Sequence, residues 1–164
     1  MQFFSQGYNC AQSVVAAWAD RYHIDHDTAL RISASFGGGI GRMRLTCGAA
    51  SGLFMLAGLE TGSTDPKDRE GKTRNYQVVQ QLAEEFRKEM GSITCGELLG
   101  LNNPSKTGHD NSSETTMQPG TLSPVPEPRT PEYYRKRPCK EIVGCASQIF
   151  ARFLEQTKST DNEP

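Results

Sequence analysis

The sequence has no long apolar run and no excess of charge of either sign. Its most apolar segment, residues 45–59, is about fifteen residues long, whereas a membrane-spanning helix needs ~20. Lys and Arg together number 18 and Asp and Glu 19, which gives a formal net charge of −1. No basic face is therefore predicted that would neutralise the phosphates of a nucleic acid. We expect a protein without a membrane span and without a nucleic-acid partner.

A secretion signal and an even set of cysteines are also missing. Residues 1–6 contain no basic segment, apolar core or cleavage site of the kind that directs secretion. The cysteines number 5, an odd count that argues against the disulfide framework of a small secreted domain. We therefore expect a cytoplasmic protein whose cysteines are buried thiols, metal ligands or redox groups.

Alternation of apolar and polar residues, the pattern typical of strands, is not sustained anywhere in the chain. Apolar residues recur instead at helical spacing, which predicts an all-α fold of about five helices in one compact domain. The predicted helices cover residues 7–23 (capped at Asn9), 27–35, 46–59 (capped at Thr46), 65–90 and 131–157, the last with a kink or break at Pro138. The segment 46–59 is rich in Gly and Ala and carries no charge, so we expect it to be the buried central helix.

One segment differs in composition from the rest of the chain. Residues 102–130 contain many Pro, Ser and Thr residues and few large apolar ones. Such a segment cannot bury enough apolar surface to offset the entropy lost on ordering. We therefore predict a single helical domain over residues 1–158 with a flexible surface insertion at 102–130, followed by a disordered tail at 159–164.

Four of the five cysteines lie at predicted helix starts or in basic surroundings. A residue that can cap a helix precedes three of them, and the fourth lies in the basic run 135–140. Free N–H groups at a helix start and nearby cations stabilise a thiolate and so lower the pKa of a cysteine. These four are Cys10, Cys47, Cys95 and Cys139. The fifth cysteine, Cys145, lies in the middle of a predicted helix, where we expect a core thiol.

Several motifs resemble those of one known family. They are Gly7-Tyr8-Asn9-Cys10-Ala11, the glycine run Phe36-Gly37-Gly38-Gly39-Ile40-Gly41, Cys47-Gly48-Ala49-Ala50-Ser51-Gly52, Thr94-Cys95-Gly96-Glu97-Leu98-Leu99-Gly100 and the late Cys139. Together they resemble the C_GCAxxG_C_C family of small prokaryotic, redox-type proteins, and the resemblance covers most of the chain outside 102–130. It implies an all-helical redox protein whose functional cysteines are the four named above.

A related domain of that family accompanies haem in split-Soret cytochromes. The motif that attaches haem covalently, Cys-x-x-Cys-His, is absent from this sequence. The resemblance therefore does not imply haem for this chain. The long insertion and the additional Cys145 are two further departures from the family pattern.

Thiol–disulfide exchange is the first chemistry that these cysteines fit. It needs one thiolate to attack a disulfide and a second thiol to resolve the mixed intermediate, and it requires no cofactor. We expect Cys47 to attack, because it lies at a helix start with arginines upstream and Gly48 beside it. Cys10 is then the resolving thiol, and Cys95 and Cys139 form a second pair. The activity would be that of a thiol–disulfide oxidoreductase acting with a redox partner protein or with a small thiol or disulfide.

Two other classes of protein stay open at this point. Four cysteines can hold an iron–sulfur cluster or a zinc ion, and such a protein would serve in electron transfer, sensing or structure. Its metal ligands would be Cys10, Cys47, Cys95 and Cys139. Their wide separations differ from the close cysteine pairs of zinc ribbons and ferredoxins. The third class is an interaction module that uses residues 102–130 as a docking arm. A homodimer, in which a second copy covers part of the central helix, is compatible with each class.

Overall fold

The structure, a computed structural model, describes residues 1–101 and 123–160, and over these residues the chain is all-α, as predicted. The helices are α1 (Gln2–Ser5), α2 (Cys10–Ala16), α3 (His26–Ala34), α4 (Gly48–Thr61), α5 (Arg69–Met90), α6 (Cys95–Leu98), α7 (Pro131–Lys136) and α8 (Cys139–Thr160), with a short 3-10 helix at Ala19–Tyr22. Residues 102–122 of the predicted insertion and 161–164 of the predicted tail lie outside the described residues.

The start of α2 is built as its sequence predicts. The side chain of Asn9 accepts a hydrogen bond from the N–H of Gln12, and the Gln12 side chain accepts one from the N–H of Asn9, which completes a capping box. The Asn9 amide also donates to the carbonyl of Ala34 at the end of α3, at 2.8 Å. These bonds fix Cys10, the first residue of α2, beside the end of α3.

The single helix predicted over 7–23 is wrong, because the structure divides this segment in two. Helix α2 ends at Ala16, and Trp18 leaves the helical region with φ −118° and ψ 1°. The Trp18 ring packs edge-on against Phe150 of α8, with the ring centroids 5.0 Å apart. Packing between distant residues therefore overrides the local preference for one continuous helix.

Helix α4 is the buried central helix that its composition predicts. It packs against α2, α5 and α8, and Leu53 and Leu56 are fully buried. It begins one residue later than predicted: Cys47, rather than Thr46, is the N-cap, and Thr46 instead pairs with Thr94 in an isolated antiparallel bridge. Among the described residues no helix has both the length and the apolar character needed to cross a membrane.

Glycines let α2 and α4 approach each other closely. A Cβ at Gly48 would lie 3.2 Å from the Cβ of Cys10, and one at Gly52 would lie 2.9 Å from the Cβ of Val14. Both distances are shorter than the usual contact between carbon atoms, so each position has room only for hydrogen. The close approach brings the N-terminus of α4 next to that of α2, and with it Cys47 next to Cys10.

The long helices α5 and α8 complete the core with residues such as Leu82 and Phe150. Helix α5 starts later than predicted, because Asp68 caps it by accepting a hydrogen bond from Gly71. The break predicted at Pro138 is confirmed: Arg137, the residue before the proline, is extended, and α8 begins at Cys139. The break thus creates the helix start at which the late cysteine lies.

Candidate functional site

The structure brings together all four cysteines that the sequence singles out. Each lies at a helix start: Cys10, Cys95 and Cys139 are the first residues of their helices, and Cys47 is the N-cap of α4. The thiol of Cys10 is near enough to the other three for each to influence its titration. All four are free thiols; Cys10 is half-buried and the others are buried. We call these four residues the cysteine cluster.

Within the cluster, Cys10 and Cys139 are the two thiols that influence each other most. Their interaction is the largest influence on both: it lowers the pKa of Cys139 to about 7 and raises that of Cys10 well above its ordinary value. Burial opposes the lowering at Cys139, and the nearby guanidinium groups of Arg137, Arg129 and Arg44 assist it. Within this pair the lower pKa is therefore that of Cys139, because the Cys10 thiol and the arginines favour its thiolate.

The remaining two cysteines of the cluster stay protonated at neutral pH. Burial raises the pKa of Cys47 to about 11, although the nearby N–H groups of Ala49 and Ala50 favour its thiolate. Burial also raises the pKa of Cys95, against the opposing effect of the nearby Arg44 guanidinium group. The predicted lowering of the Cys47 pKa is therefore wrong, because the cost of burying a thiolate there exceeds what the helix start contributes.

The arginine upstream of Cys47 in sequence serves a different cysteine in the structure. Residues 38–44 form a left-handed loop, in which Gly39 has φ 73° and Arg44 has φ 62°. A Cβ at Gly39 would lie 2.5 Å from the Cβ of Cys95, so the loop can lie against this cysteine only with glycine at that position. The loop directs Arg44 to the Cys95 sulfur rather than to Cys47.

Residues 123–130 supply charged side chains that were not predicted from sequence as part of the site. Glu127 lies 3.7 Å from Arg42, 3.9 Å from Arg44 and 2.5 Å from Arg137, measured between carboxylate and guanidinium atoms. The Arg129 guanidinium lies 4.6 Å from the centre of the Tyr133 ring, a cation–π contact. Residues 123–130, placed in the insertion by composition, thus contact the site. The sequence signal that could have pointed to them is the presence of two charged residues, Glu127 and Arg129, among the prolines of this stretch.

Cys145 lies apart from the cysteine cluster. It is buried in α8, as expected of a core thiol, and its sulfur donates a hydrogen bond to a carboxylate oxygen of Glu89 at 3.2 Å. Burial is the main cause, and this bond the second, of a Cys145 pKa raised to about 12. A thiol with such a pKa is a poor nucleophile near neutral pH, so Cys145 provides an internal control for the chemistry of the other four.

The arrangement of side chains shows whether the cysteines could hold a metal ion. Over residues 1–101 and 123–160, no three His, Cys, Asp or Glu side chains are placed so that they could share one metal ion. The cysteine cluster therefore offers adjacent thiols and guanidinium groups but no preformed ligand set in this structure.

Comparison with known proteins identifies the family. Residues 8–153 match the family described as "Putative redox-active protein (C_GCAxxG_C_C)", and the match includes every member of the cysteine cluster. The chain belongs to this family. Neither the curated proteins nor the solved structures include a match to it.

Proposed function

We propose that the protein carries out thiol–disulfide exchange, with Cys139 as the attacking thiolate and Cys10 as the resolving thiol. The proximity of these two thiols, each at a helix start and next to guanidinium groups, is the observation that supports the proposal. An attacking thiol works best when its pKa is close to the ambient pH, and Cys139 meets this condition whereas Cys47 does not. The roles therefore differ from those expected from sequence.

The proposed reaction takes two exchange steps. The Cys139 thiolate attacks one sulfur of a substrate disulfide, the S–S bond of the substrate breaks, and its other half leaves as a thiolate that takes up a proton. Cys10, once deprotonated, then attacks the Cys139 sulfur of the mixed disulfide and releases the second half of the substrate. The substrate disulfide gains two electrons, and Cys10 and Cys139 lose two as they form a disulfide.

We assign Cys47 and Cys95 to the second dithiol. Their raised pKa values keep them protonated and unreactive toward solvent at neutral pH, while their position beside Cys10 allows internal exchange. In that exchange the Cys10–Cys139 disulfide is reduced and Cys47 and Cys95 become the disulfide. A thiol reductant, either a dithiol protein or a small thiol, then restores the second pair. The cycle requires no cofactor and suits the reducing cytoplasm.

A trapping experiment tests the assignment of roles. Cys10→Ser cannot resolve, so incubation of this variant with oxidised glutathione is expected to leave a stable mixed disulfide on Cys139, identified by peptide mass mapping. Cys139→Ser should form no adduct at that position and lose disulfide reduction. Cys145→Ser is the matched control, since its sulfur lies apart from the cluster and should be dispensable. Adduct formation on Cys47 instead would contradict the proposed order.

An elemental analysis separates this proposal from the metal alternative. Protein purified without oxygen would be analysed for iron, zinc and acid-labile sulfide. We expect far less than one metal atom per chain. Stoichiometric zinc, or iron with sulfide, would make Cys10, Cys47, Cys95 and Cys139 ligands of a bound group and would overturn the exchange mechanism.

A further inference from the structure

A cavity of about 390 Å³ is lined by arginines that also lie near the cysteine cluster. Among the residues that the structure describes, the charged ones that line it are four arginines and one glutamate, namely Arg42, Arg44, Glu127, Arg129 and Arg137. No cysteine is among its lining residues. The cavity therefore has an excess of three positive charges that the residues lining it do not neutralise.

The arginines of this cavity are largely removed from water. Only 22%, 18% and 19% of the side-chain surface is exposed to solvent at Arg42, Arg44 and Arg137, respectively. One terminal nitrogen of Arg129, Nη1, is buried and has no hydrogen-bond partner in the part of the chain that the structure describes. Clustered cations that have lost hydration are unfavourable unless an anion accompanies them. A single carboxylate, that of Glu127, serves three of these guanidinium groups.

We propose that this cavity is a binding site for a small, multiply charged oxyanion, a phosphate or a dicarboxylate. The guanidinium group has five N–H donors in a planar fork that matches the oxygens of carboxylates and phosphates. The Glu127 carboxylate already forms ion pairs with three of these guanidinium groups, which shows that they can bind the oxygens of an anion. An incoming anion competes with Glu127 for the same donors, and the ligand and the Glu127 side chain repel each other.

The test uses calorimetric titration of the reduced, full-length protein with inorganic phosphate and, separately, with succinate, at constant ionic strength set by chloride. Arg42→Gln is expected to weaken binding by about tenfold, the usual effect of removing one charge-assisted hydrogen bond. Arg42 is the appropriate arginine because it is not among the main influences on the pKa of Cys139. The matched control, Arg74→Gln on the exposed face of α5, should bind as the unmodified protein does.

A second variant is expected to change the anion affinity in the opposite direction. Glu127→Gln removes the competing carboxylate and should tighten binding by about three- to tenfold. The relative affinities for phosphate and succinate then show which class of oxyanion the site prefers. The proposal is overturned if neither anion binds with a Kd below about 1 mM, if Arg42→Gln and Arg74→Gln behave alike, or if Glu127→Gln weakens binding. These titrations measure binding alone, so their outcome is independent of thiol chemistry.

Discussion

Removal of the Cys10 thiol should raise the pKa of Cys139. In the native protein the interaction with the Cys10 thiol is the largest of the influences that lower the Cys139 pKa from 9.0 to about 7. Cys10→Ala removes the donor, whereas Cys10→Ser keeps an O–H in a similar place. We therefore expect the Cys139 pKa to rise toward its ordinary value in the alanine variant and to stay low in the serine variant.

The expected size of the effect follows from the native pKa. A lowering from 9.0 to about 7 corresponds to roughly 3 kcal/mol in favour of the thiolate. Half of Cys139 is then ionised at pH 7, compared with about 1% for a thiol of ordinary pKa. Since Arg137 and its neighbours still act in the Cys10→Ala variant, we expect an intermediate result, in which about 1–10% of Cys139 is ionised at neutral pH.

The assay is the pH dependence of alkylation by iodoacetamide, followed at Cys139 by peptide mass mapping. The midpoint of the profile is the quantity to compare, because the intrinsic nucleophilicity of a thiolate rises with its pKa and partly masks the effect on the rate at a single pH. Circular dichroism of each variant controls for loss of the fold. An unchanged midpoint in Cys10→Ala, or a native midpoint near that of an ordinary thiol, would refute the reasoning.

Three further predictions concern the packing and charge of the cluster. Gly48→Ala should destabilise the fold by about 1–3 kcal/mol in chemical denaturation, because its Cβ would lie 2.8 Å from a backbone carbonyl oxygen. Gly58→Ala in the same helix, where a Cβ meets nothing within 4 Å, should leave stability equal or up to about 1 kcal/mol higher. The raised pKa of Cys47 stabilises the fold below pH 9, and this contribution is lost as the pH rises to 11. The free energy of unfolding of the native protein should therefore fall by about 2 kcal/mol more than that of Cys47→Ala over that interval. Equal losses for the two proteins in chemical denaturation at pH 9 and pH 11 would contradict this. Arg137→Gln should move the alkylation midpoint of Cys139 upward, and an unchanged midpoint would show that its charge does not act on the thiolate.

Much of the local structure could be predicted from the sequence by itself. The absence of strand alternation predicts the all-α fold, and Asn9 caps α2 as its residue type indicates. The uncharged, Gly- and Ala-rich segment becomes the buried helix α4, and the break at Pro138 follows from its missing N–H group. These features depend on neighbours in the chain, and for that reason a single sequence is enough to predict them.

The chemistry of the cysteines depended on the tertiary structure. Sequence reasoning favoured Cys47, because a helix start and upstream arginines lie next to it in the chain. The pKa of a thiol, however, is decided by its burial and by the charges and donors around it in space. The fold buries Cys47, turns Arg44 toward Cys95 and places Cys10 against Cys139, which most of the chain separates from it.

The charged residues around the cavity illustrate the same limit. Composition alone assigns Glu127 and Arg129 to a polar, proline-rich insertion, because few apolar residues accompany them. In the structure they contact Arg137 and Tyr133, partners that lie just beyond the insertion in the chain but become neighbours only through the path of the backbone. The sequence by itself therefore determined the helical class, the buried central helix and the set of four cysteines. The tertiary structure decided which thiol carries the charge and which guanidinium groups stabilise it, because both depend on distances and burial that no local pattern encodes.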